Sequence, residues 1–151
     1  MAGKCREIPG FYRGMKEKEK KMNCSDFTIL FAEDKPEIQK IYKKNFETEG
    51  YKVLQAEHGA RVMAELRENK VDLLVMDLEM PGMNTLELFP ILKKDFPKMP
   101  VIIVSGHYED LKQEFENKGF NYKAFFNKPI SAGILKDKVR EILKIDTQSK
   151  I

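Results

Sequence analysis

The sequence predicts a doubly wound α/β fold: a five-stranded parallel sheet with helices on both faces, three layers in all (α/β/α). Three observations predict it. Short apolar runs rich in β-branched or aromatic residues recur five times from Phe27 onward. Stretches with helical spacing separate them, so the order is βα repeated five times. The third and fourth runs, residues 73–76 and 101–104, are apolar at every position, as strands covered on both faces must be. Parallel neighbours need right-handed crossovers, which put helices on both sides of the sheet.

Each element has its own support. The first run, 27–32, is followed by Ile38, Ile41, Tyr42 and Phe46, spaced as one face of a helix that stops at Glu49-Gly50. The second run, 51–56, leads through His58-Gly59 to Val62, Met63 and Leu66. After the third come Pro81-Gly82 and then Leu86, Phe89 and Leu92. After the fourth, a weaker stripe of Leu111 and Phe115 ends near Lys118-Gly119. The fifth run, 124–126, precedes Leu135, Val139 and Ile142. No internal sequence repeat accompanies the pattern, and no second domain is expected after Ile145.

The chain has 151 residues, 42% hydrophobic and 34% charged, enough to fill one core. Its formal charge of +3 is local: residues 1–26 hold seven basic and four acidic side chains, and residues 27–151 carry 20 of each sign. This predicts a basic N-terminal tail over 1–26, read as disordered for want of any period, a domain over 27–145, and a short C-terminal tail over 146–151. The surplus is too small to argue for nucleic acid. No apolar run approaches the roughly 18 residues of a membrane span, and no apolar signal segment follows the N-terminus, so membrane insertion is not expected. Cys5 and Cys24 lack metal or redox spacing and read as free thiols in a reducing, cytoplasmic setting.

In an open parallel sheet, chemistry gathers at the carboxyl ends of the strands. Glu33 and Asp34 follow the first run, Asp77 the third, Ser105 with Gly106 and His107 the fourth, and Asn127, Lys128 and Pro129 the fifth. Three carboxylates at one sheet edge repel unless a positive group sits among them. Lys128 is one candidate and a divalent cation another; oxygen ligands with room for waters and a phosphate suit Mg²⁺. An aspartate beside such a cation and a lysine can accept a phosphoryl group, with Ser105 donating to one of its oxygens. Each residue also has a plainer role available. Asp34 could cap the helix that Pro36 opens, Asp77 could cap the loop toward Asn84, Ser105 could be a turn residue, and Lys128 a surface lysine. Four plain roles falling by chance at four strand ends is the poorer account.

These residues resemble the receiver domain of bacterial two-component response regulators. The carrying segments are Ile29-Leu30-Phe31-Ala32-Glu33-Asp34, Leu73-Leu74-Val75-Met76-Asp77-Leu78-Glu79-Met80-Pro81-Gly82-Met83, Pro100-Val101-Ile102-Ile103-Val104-Ser105-Gly106 and Phe125-Phe126-Asn127-Lys128-Pro129. The resemblance implies a flavodoxin-like (βα)5 receiver that switches state rather than turning over substrate. Asp77 is then the phosphoacceptor. Mg²⁺ is held by Glu33, Asp34, Asp77 and the backbone carbonyl of Glu79. Ser105 and Lys128 bind the phosphoryl group, Phe125 moves with the switch, and Pro129 follows a cis peptide bond. Glu79 and His107 stand where the family tunes dephosphorylation. Glu33 replaces a commoner Asp, and Phe125 lacks a tyrosine hydroxyl, so its part in switching rests on packing. The implied partners are a sensor histidine kinase or histidine phosphotransfer protein and a downstream effector, with a homodimer on activation as a further expectation. The surface expected to change is the fourth helix, fifth strand and fifth helix. No output module follows the domain within the chain, and the sequence reads either as a stand-alone receiver or as a piece of a longer regulator.

Three rivals are weighed against this. A haloacid-dehalogenase-type phosphatase uses Asp, Ser or Thr, and Lys in the same order. It needs an Asp two residues after the nucleophile, where Glu79 stands, and an acidic pair after the lysine rather than before Asp77. A flavodoxin-like FMN protein needs a Ser/Thr/Gly-rich first loop, where Glu33-Asp34-Lys35-Pro36 would repel a phosphate. A pseudo-receiver that only binds partners remains the third.

Overall fold

A computed structural model describes residues 23–80, 85–106 and 108–144. Its strands are β1 (Thr28–Ala32), β2 (Lys52–Ala56), β3 (Leu73–Asp77), β4 (Val101–Ser105) and β5 (Ala124–Asn127). Its helices are α1 (Pro36–Glu49), α2 (Gly59–Glu68), α3 (Thr85–Asp95), α4 (Tyr108–Asn117) and α5 (Ala132–Leu143). The strands form one parallel sheet in the order β2-β1-β3-β4-β5. The expectations for residues 1–22 and 145–151, for Pro81, Gly82 and Met83, and for His107 lie outside the described residues.

The alternation of side chains along each strand divides the core in two. Leu30, Leu74, Met76 and Ile103 face one layer with Val62, Leu66, Leu88, Phe89, Leu92 and Phe115. Ile29, Phe31, Leu73, Val75, Ile102 and Val104 face the other with Tyr42, Phe46, Leu135 and Val139. Burial on both faces explains why β3 and β4 carry no polar residue before their last position, Asp77 and Ser105.

Helix boundaries follow local chemistry. Pro36 opens α1 with its φ already set, and Gly50 closes it at φ 112°, a left-handed conformation that costs glycine little. The α1 face is narrower than the spacing predicts. Ile38, Tyr42 and Phe46 form an i, i+4, i+8 stripe onto the sheet, while Ile41, 100° round the helix from Tyr42, is 53% exposed. The Ser131 hydroxyl accepts from the Ile134 N–H at 3.1 Å and caps α5.

A 3₁₀ turn, Cys24–Asp26, precedes β1, and Cys24 is fully buried in the α1/α5 layer. Cys24 is disulfide-bonded, which corrects the expectation that it is a free thiol. Spacing alone does not tell a free thiol from a paired one, because pairing is decided by distance in the fold. Among the described residues no helix is long and apolar enough to cross a membrane.

Candidate functional site

The sheet order reverses between β1 and β3, which opens a crevice at their carboxyl ends. Register Ala32↔Met76 sets Glu33 and Asp34 beside Asp77. One carboxylate oxygen from each of Glu33, Asp34 and Asp77 lies within 4.8 Å of the others. Glu33 and Asp77 are buried and Asp34 is half-buried.

Lys128, arriving from the end of β5, supplies the positive group. Its Nζ donates to Asp77 Oδ2 at 2.8 Å and lies 3.5 Å from Glu33 Oε1. The other Asp77 oxygen, Oδ1, accepts from the Glu79 N–H at 2.9 Å. Burial pushes the Glu33 carboxyl up to about 7, helped by the Asp77 charge and opposed by the Lys35 N–H and the Lys128 charge. Burial by itself would lower the Lys128 ammonium, but its hydrogen bond to Asp77 and the charges of Asp77 and Glu33 raise it instead. The lysine is therefore charged and the carboxylates are under-compensated: three acids face one ammonium.

Asp34 Oδ1 is buried and has no hydrogen-bond partner. A buried carboxylate oxygen without a partner is costly unless a cation takes it. The three convergent acidic oxygens and this orphan fit a hard divalent cation such as Mg²⁺. The alternative role for Asp34 fails, because Lys35 is the N-cap of α1 and no side chain caps that end. Asp77 does hold a local turn through the Glu79 N–H, but it also takes the ammonium. Lys128 is only 17% exposed and is no ordinary surface lysine.

Ser105 ends β4, fully buried, and its carbonyl accepts from the Lys128 N–H at 2.9 Å. The Lys128-Pro129 peptide bond is cis. The Ser105 hydroxyl donates to Glu79 Oε2 at 3.2 Å, and the Gly106 N–H donates to the same oxygen at 2.7 Å. Sequence reasoning gave Glu79 a backbone role and a place beside the reacting group, and it missed this side-chain contact. Nothing local could reveal it, because Ser105 lies 26 residues further on. Phe125 lies on β5 among aromatic rings. Its ring meets Phe115 of α4 at 5.9 Å and Tyr122 at 5.5 Å, both edge-on.

An acidic crevice at the switch point of a β2-β1-β3-β4-β5 sheet, with a half-buried ammonium among its carboxylates, places the chain in the flavodoxin-like class of α/β proteins. The model of the response regulator receiver domain matches residues 29–140, and the chain belongs to that family, as the receiver domain of a two-component response regulator. Response regulator GtcR of Aneurinibacillus migulanus is 33% identical over 104 residues, 69% of this chain and 42% of its own length. Transcriptional regulatory protein GlrR of Escherichia coli (strain K12) is 39% identical over 79 residues, 52% of this chain and 18% of its own. This chain thus spans less than half the length of both. Sporulation initiation phosphotransferase F of Bacillus subtilis (strain 168) is 27% identical over 117 residues, covering 78% of this chain and 94% of its own. A CheY-like receiver domain protein from Methanospirillum hungatei JF-1 superposes with a TM-score of 0.72 at 27% identity, over 78% of this chain and 94% of that one.

Proposed function

We propose that the domain is a phosphoryl-accepting switch in which Asp77 takes a phosphoryl group from a phosphohistidine on a sensor kinase or phosphotransfer protein. The P–N bond to the donor breaks, an Asp77 carboxylate oxygen forms the new P–O bond, and the released imidazole recovers a proton from solvent. Mg²⁺, held by Glu33, Asp34, Asp77 and the Glu79 carbonyl, would supply positive charge against the transferring oxygens. Lys128 supplies a second, fixed charge and orients Asp77. The ion would also take the orphaned Asp34 oxygen and add to the charge that Lys128 already sets against Glu33. Burial of Asp77 and Glu33 keeps bulk water from screening these charges.

Conversion of Asp77 to an acyl phosphate draws the Ser105 hydroxyl toward the new oxygens. The space it leaves is open to the Phe125 ring, and the surface of α4, β5 and α5 shifts. An effector, or a second copy of the chain, that prefers the shifted surface reads the state. Glu79 and His107, at positions where the family varies, tune hydrolysis of the acyl phosphate, so the protein switches and resets without turning over a substrate. A cytoplasmic location, where kinases of this class present their phosphohistidine, belongs to the same reading.

The observation that carries this reading is the orphaned Asp34 oxygen beside the Asp77–Lys128 pair. Intact-mass measurement after incubation with acetyl phosphate and Mg²⁺ tests it. One phosphoryl adduct is expected, absent without the metal and absent in Asp77→Asn. An adduct that persists in Asp77→Asn removes Asp77 from this role, and no adduct on the wild type favours a partner-binding pseudo-receiver.

A further inference from the structure

We propose that the Glu79 carboxylate is a built-in competitor of the phosphoryl group, holding the two donors that the phosphorylated state needs. The inference rests on Asp77 as the acceptor and goes beyond it. Register Asp77↔Val104 brings the end of β4 alongside the acceptor, so the Ser105 hydroxyl and the Gly106 N–H are donors placed next to Asp77. Both point at one oxygen, Glu79 Oε2, at 3.2 and 2.7 Å. A Cβ added to Gly106 would come within 3.1 Å of that oxygen, so the carboxylate lies directly over the glycine.

The backbone of Glu79 is tied to the same acceptor, since its N–H donates to Asp77 Oδ1 at 2.9 Å. The side chain is therefore anchored two residues from Asp77 and folded back across the donors. A phosphoryl oxygen and a glutamate oxygen are both anions, and they cannot share one hydroxyl and one N–H without strong repulsion. Phosphorylation then requires Glu79 to leave, and the half-buried carboxylate has solvent to move into. Until it leaves, Ser105 is pinned in the unphosphorylated arrangement. Glu79 is a positioning residue: it acts on Ser105 and Gly106 and sets how readily the phosphorylated state forms.

The experiment is titration of the ¹⁵N-labelled full chain with beryllofluoride at saturating Mg²⁺, followed by amide spectra, for the wild type, Glu79→Gln and Glu79→Ala. Asp77→Asn serves as the non-accepting control. Hydrogen bonds to charged groups are the stronger ones, so freeing two donors should tighten beryllofluoride binding by about tenfold in Glu79→Ala. Glu79→Gln, which keeps the shape and loses the charge, should fall between the two. Before any addition, the Gly106 amide proton should move upfield in Glu79→Ala, because the carboxylate bond is gone. Equal affinity in the wild type and Glu79→Ala overturns the competitor role and leaves Asp77 as the acceptor. Binding by Glu79→Ala when the wild type refuses supports it. Refusal by both, like that of Asp77→Asn, overturns the acceptor reading and this inference with it.

Discussion

The Lys128 ammonium sits 2.8 Å from Asp77 Oδ2 and 3.5 Å from Glu33 Oε1, joining the end of β5 to the ends of β3 and β1. Beside the backbone N–H groups of Lys35 and Glu79, this ammonium is what offsets the two buried acids, and it spans 51 residues of sequence to one partner and 95 to the other. Its removal leaves charges in place that cannot reach water. Lys128→Met should cost about 3 kcal/mol at alkaline pH without Mg²⁺, as breaking a buried pair does. Addition of Mg²⁺ should return part of that loss. Urea unfolding with and without the metal measures both, and an unchanged midpoint would show that the pair contributes nothing.

Glu33 gives the domain an unusual pH dependence. Its carboxyl is pushed from an ordinary value of 4.5 up to about 7, chiefly by burial. The folded state therefore holds this proton more tightly than the unfolded one. The stabilising contribution is complete below 4.5, declines as pH rises toward about 7, and is gone above that. At most it amounts to about 3 kcal/mol. Glu33→Gln should lose this slope in metal-free buffer and be more stable than the wild type at neutral pH. Melting temperatures across that range decide it; parallel curves for the two proteins would contradict the raised value.

The orphaned Asp34 oxygen predicts metal-linked stability. Binding to the folded state alone raises stability by RT ln(1 + [L]/Kd), so Mg²⁺ at about 100 times its Kd should add roughly 2.7 kcal/mol. Asp34→Asn should lose most of this shift, because one of three convergent carboxylates is gone. Thermal melts with increasing Mg²⁺ read the effect. Asp34→Asn protein that responds like the wild type would mean the ion sits elsewhere.

Phe115 fills the centre of the ring cluster under α4. It meets Phe89 at 5.0 Å, Phe120 at 5.2 Å and Phe125 at 5.9 Å, and it is essentially unexposed. Phe115→Ala should cost about 3–5 kcal/mol through lost burial and an unfilled cavity. Guanidinium unfolding would show it as a lower midpoint at constant slope. A loss under about 1 kcal/mol would mean the surrounding rings collapse into the space.

Much of this architecture was written in the periodicity of the chain. Apolar runs at residues 73–76 and 101–104 had to become covered central strands, since no polar position in them could face water. The helical stripes followed wherever spacing and burial agreed, as at Val62, Met63 and Leu66. Ile41 did not follow, because an apolar residue on the flank of a stripe carries no mark that distinguishes it from one at the centre. Cys24 is disulfide-bonded although its surroundings in sequence read as a tail, because burial and pairing depend on what comes near it in space.

The site divides in the same way. Sequence alone determined which residues stand at strand ends, because a strand's length and its final polar residue are local: Glu33, Asp34, Asp77, Ser105 and Lys128 could all be read off. Only the tertiary structure decided who faces whom. Which acid takes the ammonium, which oxygen is left without a partner, and which side chain lies over Gly106 are set by strand order and register. Those contacts join residues dozens of positions apart, and hydrogen-bond and Coulomb energies depend on distances of a few ångströms that no spacing along the chain encodes.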